Sequence, residues 1–161
     1  MMQVCHRLIS PGHNHFGHHG QPADEHRIVA VGQIGCVAGR GIRGDRFFDN
    51  RPDSQGQITF FAMEVIEALA RGLNLAGVRP EFTRRNVFTR CADLNTLAGV
   101  EFEVQGVRSA GTEEYRPCYW MSCAFRDERV ETWLRGRGGL RARIPTEGVL
   151  TCGVSQAGLD P

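Results

Sequence analysis

Short apolar stretches, each broken by glycine or polar turn residues, run through most of this 161-residue chain, and only one carries a clear helical period. In that stretch Val65, Ile66, Leu69 and Leu73 recur on one face, with Gly77 and Pro80 beyond as closing signals. The rest reads as strands and turns. Residues 27–34 and the β-rich segment 57–61 predict strands, as do residues 82–89 and 100–104, with Leu97-Ala98-Gly99 turning between the last two. Val104-Gln105-Gly106-Val107 predicts a hairpin. A second short helix is expected over residues 126–134, burying Val130, Trp133 and Leu134, and two last strands, 142–145 and 149–152, flank Thr146-Glu147-Gly148. Residues 1–26 are polar, weakly patterned and rich in Gly and His. The expected organisation is an N-terminal arm over 1–26 and one mainly β domain over 27–161, a barrel or sandwich with one or two short α-helices.

Composition narrows the chemistry. The formal net charge is +1, so no global field draws the chain to nucleic acid or an anionic membrane, and no basic–aromatic interleaving supports nucleic-acid binding. All 19 basic residues other than His are Arg. With no Lys, the chain holds no covalent pyridoxal phosphate and no P-loop. Arg suits fork-like binding of phosphate or carboxylate. The six cysteines (5, 36, 91, 118, 123 and 152) form no CxxC pair and no dense disulfide framework. The first residues start no signal-peptide run, and nothing approaches a membrane span, so a cytoplasmic protein with reduced thiols is the expectation.

Cys118 has the most suggestive surroundings. Arg116 and the rigid Pro117 precede it, Tyr119 and Trp120 follow, and a cationic glycine-rich run lies downstream at Arg135-Gly136-Arg137-Gly138-Gly139-Leu140-Arg141-Ala142-Arg143. Positive charge beside a thiol favours the thiolate needed for a nucleophile or metal ligand, whereas a cysteine in apolar surroundings is inert. In the expected strand over 82–89, alternation puts Arg84 and Asn86 on one face and Arg85 on the other, a cation and an amide presented together. Gly44-Asp45-Arg46 reads either as a tight turn with a local ion pair or as a backbone nest for an anion. Glu113 and Glu114 are adjacent on a strand, point to opposite faces and form no acid/base pair.

All six histidines lie within the first 26 residues, four of them at His13, His15, His18 and His19. Their density suggests a divalent site such as Zn²⁺, closed by Cys5, Cys36 or Asp24, or else a polar arm whose imidazoles bond backbone groups. The spacing is similar to the HxHxDH motif of metallo-β-lactamase-like hydrolases. Gly17 takes the place of that motif's Asp and no His follows His26, which excludes that family.

Five segments taken in order resemble a MOSC domain, the module at the C-terminus of molybdenum cofactor sulfurases that also occurs as small stand-alone bacterial proteins. They are Gly41-Ile42-Arg43-Gly44-Asp45-Arg46-Phe47; Arg84-Arg85-Asn86-Val87; residues 93–102; Gly111 with Pro117-Cys118; and residues 136–144. The resemblance spans residues 27–153 and implies a MOSC-type β-barrel. It makes Cys118 the functional thiol, either a persulfide sulfur carrier or a ligand to the molybdenum of a pterin cofactor. Asp45, Arg46, Arg84, Asn86, Arg137 and Arg141 then stand at cofactor-binding positions, with Arg137 or Arg141 for the pterin phosphate. Implied partners are a separate cysteine desulfurase or an electron-transfer protein. The alternatives are a molybdenum-dependent reductase of N-hydroxylated compounds and a non-catalytic metal-binding module built on the His cluster. Tyr115 departs from the pattern by standing where a Cys often precedes the Pro-Cys pair, and Gly153-Val154 replaces a common Gly-Asp.

Overall fold

The computed structural model describes residues 2–11 and 28–154. Eleven strands occur among them: β1 (Gln3–Ile9), β2 (Val29–Ala30), β3 (Ile34–Val37), β4 (Gly41–Ile42), β5 (Ile58–Ala62), β6 (Val87–Arg90), β7 (Glu101–Val104), β8 (Val107–Glu114), β9 (Leu140–Arg143), β10 (Gly148–Leu150) and β11 (Gly153–Val154). Three helices accompany them: α1 (Met63–Gly72), α2 (Tyr119–Phe125) and α3 (Val130–Trp133). The main sheet runs β11-β1-β6-β5-β9-β8-β7, with β2 also paired to β1, and a small sheet runs β10-β3-β4. The expected mainly β class holds. Among the described residues the strands follow an open path and no barrel closes.

The central strands are buried on both faces, which explains their unbroken apolar runs. In β5, Ile58 and Phe60 enter one core with Val4, Val87, Ile34, Ile42 and Leu140. Phe61 faces the opposite core with Leu8, Phe88, Ile66, Leu69, Trp120, Met121 and Leu134. The sheet thus lies between the small sheet and a helical layer. β5 and β6 are parallel, the other ladders antiparallel, and α1 makes the crossover between them.

Several expected elements are where the pattern puts them. Ile66 and Leu69 form the buried face of α1, and Gln105 (φ 51°) and Gly106 (φ 80°) make the two-residue turn joining β7 to β8. The strand expected over 82–89 does not hold. Pro80–Thr83 is a 3₁₀ turn, Arg84 is left-handed at φ 56°, and β6 starts only at Val87. Arg84 and Asn86 therefore share no strand face. A second correction concerns the arm, because Gln3–Ile9 is an integral strand between β11 and β6. A register shift between Val4 and His6 interrupts its alternation, which hides it from a period-2 reading. Residues 12–27, including His13, His15, His18 and His19, lie outside the described residues.

Gly111 on β8 shows how tightly this end is built. It exchanges backbone hydrogen bonds with Gly99 and Val100 at 2.9 Å each, and a Cβ there would lie 1.9 Å from the Leu97 carbonyl oxygen. No rotamer change relieves a clash with backbone. Gly111→Ala is expected to cost about 3 kcal/mol, read as a lower denaturant midpoint with an unchanged m-value.

Candidate thiol and arginine site

Cys118 lies where β8 hands over to α2, and the loop carrying it is clamped from two sides. The Tyr115 N–H donates to the Gly139 carbonyl at 2.8 Å, and the Gly138 N–H donates to Glu114 Oε1 at 3.2 Å. A Cβ on Gly138 would lie 2.4 Å from the Tyr115 carbonyl oxygen and 2.8 Å from Pro117 Cδ. Gly139 adopts φ 101°, and a Cβ there would lie 2.4 Å from the Phe60 carbonyl oxygen. The glycine-rich run is therefore a close-packed buttress for the Cys118 loop.

Arg85 supplies the second clamp. The residue is 3 % exposed, and its guanidinium donates to the carbonyls of Thr83 (2.9 Å), Gly138 (3.1 Å) and Tyr115 (3.1 Å). It also lies 3.4 Å from the centre of the Tyr115 ring, which Arg141 approaches to 4.3 Å. Arg84 sits 4.6 Å from the Trp120 ring. Burial pushes both guanidiniums down to about 10, and the negative charges that act against this are those of Tyr115 and Cys118, with Asp45 added for Arg84. Both stay cationic at neutral pH. Burial pushes the Tyr115 phenol up, but Arg85, Arg46 and Arg141 outweigh it and leave the group below its ordinary value. Cys118 itself is exposed. The result is an accessible thiol on a rigid loop, beside Arg84 and Arg85 and within one charge cluster with Arg46 and Arg141.

The polar residues singled out in the sequence divide into two groups. Asp45 and Asn86 are structural: the Asp45 carboxylate accepts from the Ser10 N–H (2.9 Å) and the Asn86 side-chain amide (3.4 Å). Asn86 Oδ1 accepts from the Thr59 N–H (3.1 Å) and hydroxyl (2.8 Å), and its amide also donates to the Leu8 carbonyl (3.2 Å). The Asp45-Arg46 turn is thus tied down by its carboxylate. Arg46 stacks on Phe47 at 4.5 Å, and its buried Nε has no hydrogen-bond partner among the described residues. Arg141 pairs with Glu113 at 3.3 Å and lines an open cleft of about 410 Å³ with Phe47, Arg51, Thr59 and Tyr115, within the usual size range of small-molecule sites. Arg137 lies elsewhere, stacked on Trp133 at 3.9 Å and lining a cleft with Glu64 and Asn95. Arg141, not Arg137, shares the cluster with Cys118.

Sequence reading missed the parts played by Arg85 and Tyr115. Nothing in the sequence sets Arg85 apart from the adjacent Arg84. Of the proposed metal ligands, Cys36 is a core residue whose thiol burial pushes up to about 12. Among the described residues no group of three His, Cys, Asp or Glu side chains is placed to hold a metal ion. No helix among them is long and apolar enough to cross a membrane.

Arg85→Met, which keeps the apolar stem and removes the donors, is expected to lose about 3 kcal/mol by stranding three buried carbonyls, measured by chemical denaturation. A second expectation follows from the chain's two tyrosines. Tyr115 should ionise below the ordinary phenol range and exposed Tyr119 above it, the latter through its hydrogen bond to Cys123. Ultraviolet titration should show two steps, the lower absent in Tyr115→Phe; one shared step in the wild type contradicts the geometry. A depressed acid contributes stability above its unfolded value and loses it as pH falls through the folded value, so the Tyr115 contribution is confined to alkaline pH.

Comparison with family models gives no match, and comparison with the curated proteins gives none either. Solved structures do match. The chain is similar to YuaD protein from Bacillus subtilis (17 % identity, TM-score 0.69, covering 95 % of this chain and 93 % of that one). It is also similar to YiiM from Geobacillus stearothermophilus (12 %, TM-score 0.71, 100 % and 76 %) and to YiiM from Escherichia coli (15 %, TM-score 0.64, 97 % and 71 %). At these identities the likeness shows a shared fold, and it extends over nearly the whole chain.

Proposed function

We propose that this chain is a MOSC-type protein that acts through the Cys118 thiolate, in the role of ligand to the molybdenum of an anionic pterin cofactor. The observation that carries this reading is an exposed thiol beside Arg84 and Arg85, whose charge cluster reaches Tyr115 and Arg141 in the wall of an open cleft. The shared fold with YuaD and YiiM supports the MOSC-type assignment. The donor set fits such a group: a soft thiolate suits the metal, and the partnerless Nε of Arg46 with the Arg141 fork suits a phosphate. Arg84 and Arg85 offset the added negative charge. When bound, the cofactor would supply two-electron oxygen-atom chemistry, and a reductase of N-hydroxylated compounds fed by a separate electron-transfer protein is the activity that fits. This chain's residues would hold and orient it, with Cys118 fixed by the Gly138-Gly139 buttress.

The exposure of Cys118 supports a second reading, a sulfur carrier loaded by another protein. With no Lys in the chain, a separate cysteine desulfurase must supply the sulfur. Its persulfide passes the outer sulfur to the Cys118 thiolate and regains its own thiolate, so charge and sulfur balance.

One experiment separates the two. In protein purified from a cofactor-competent host, molybdenum and pterin fluorescence should co-purify in equal amounts. Cys118→Ala should lose more than nine-tenths of the molybdenum, and Arg84→Ala should lower both several-fold. Absence of molybdenum and pterin from the wild type, together with Cys118-dependent labelling by a desulfurase and labelled cysteine, would establish the carrier instead. Equal labelling of Cys118→Ala would remove both.

A further inference from the structure

Away from Cys118, the antiparallel pairing of β1 with β11 brings two more thiols together. Gln3 is opposite Val154 and Val4 opposite Gly153, and Cys5 and Cys152 are the residues that follow directly at that end of the ladder. The side chains agree with this register. Cys152 Sγ lies 3.4 Å from the Val4 carbonyl oxygen and 3.6 Å from that of Cys5, so the sulfur rests on the β1 backbone at the residue bearing the other thiol. Residues opposed on neighbouring antiparallel strands have Cα atoms about 4.5–5.5 Å apart, inside the span a disulfide bridges. Cys5 is half-buried and Cys152 exposed, so a reagent in solution meets Cys152 first. Burial pushes the Cys5 thiol up, and Arg90 offsets this only in part, so Cys5 is the slower of the two to react.

We propose that Cys5 and Cys152 form a reversible disulfide that fastens the C-terminal strand β11 to the main sheet. The oxidant is a small-molecule disulfide. Cys152 attacks it as the thiolate, forming a mixed disulfide and releasing one thiol. Cys5, losing its proton, then attacks Cys152 Sγ and releases the second. Two protein thiols are oxidised and one external disulfide is reduced to two thiols, so atoms and electrons balance. Before oxidation β11 is held at the sheet edge by two paired residues, Gly153 and Val154. The cross-link ties residues 147 apart in sequence, and closing so long a loop restricts the unfolded chain strongly. The inference is independent of the role of Cys118.

The test treats the whole chain with oxidised glutathione, blocks remaining thiols by alkylation, and maps peptides without reduction. The expected result is a Cys5–Cys152 cross-linked peptide, a Tm higher than that of the reduced protein, and slower proteolysis after Cys152. Dithiothreitol should reverse all three. Cys5→Ser should instead accumulate a glutathione adduct on Cys152, and Cys152→Ser should leave Cys5 unmodified far longer than Cys152 in the wild type. A wild-type protein that keeps a stable Cys152 adduct without the cross-link overturns the proposal. So does a cross-link joining either cysteine to Cys91, Cys118 or Cys123 in preference.

Discussion

The buried guanidinium of Arg85 is the interaction on which the site depends. It joins three backbone segments remote in sequence: the turn entering β6, the end of β8 and the glycine run entering β9. A cation taken out of water costs several kcal/mol, and here it is met by carbonyl dipoles and by the Tyr115 ring at 3.4 Å. Such neutral partners satisfy its hydrogen bonds and leave its charge in place. The positive potential that remains falls on Tyr115 and Cys118, the two groups whose negative charge stabilises it. One residue therefore fixes the loop geometry and holds a positive charge against Tyr115.

A second polar knot lies on the other side of Arg84. Asp45, Asn86, Thr59 and Ser10 are all buried and mutually hydrogen-bonded, tying the loop after β4, the approach to β6, the middle of β5 and the end of β1. Fully satisfied buried networks specify a unique arrangement better than apolar contacts do. Asp45 and Asn86 are thus committed to bonds inside the protein. Arg46 and Arg84 protrude from the knot's own chain segments, and Arg141 follows Leu140 across the β9 ladder. Of these arginines, Arg141 lines the open cleft, together with Arg51 and Tyr115.

How much of this the sequence disclosed follows from the length scale of each signal. The ten-residue α1 repeats its period nearly three times and the Gln105-Gly106 turn needs two adjacent left-handed residues, so both were legible. β1 was not, since its bulge breaks the two-residue period after Val4. α2 was missed as well: with Trp120, Met121, Ser122 and Phe125 all buried, seven residues show no polar face to define a period. The left-handed Arg84 broke the expected strand, because nothing in Thr83-Arg84-Arg85 marks a positive φ as glycine would. Cys118 and its basic neighbours stood out by residue type, but which arginine lines which cleft was not legible. Arg137 and Arg141 are four residues apart, and only the turn through Gly138 and Gly139 sends them to different places.

The six cysteines illustrate why environment outranks spacing. Cys36 is sealed in the core, the Cys152 sulfur rests on the β1 backbone at Cys5, and Cys123 is engaged by Tyr119 one helical turn away. Cys118 alone combines exposure with a cationic setting on a clamped loop. Three residues before it, where a thiol would make a CxxC pair, the Tyr115 ring lies against the guanidiniums of Arg85 and Arg141. A cysteine there would offer Cys118 a partner for an intramolecular disulfide. The tyrosine fills that space with a wall that binds both cations and reacts with neither sulfur nor metal. Tyr115 and the Arg85 clamp together thus hold the loop on which Cys118 stands exposed.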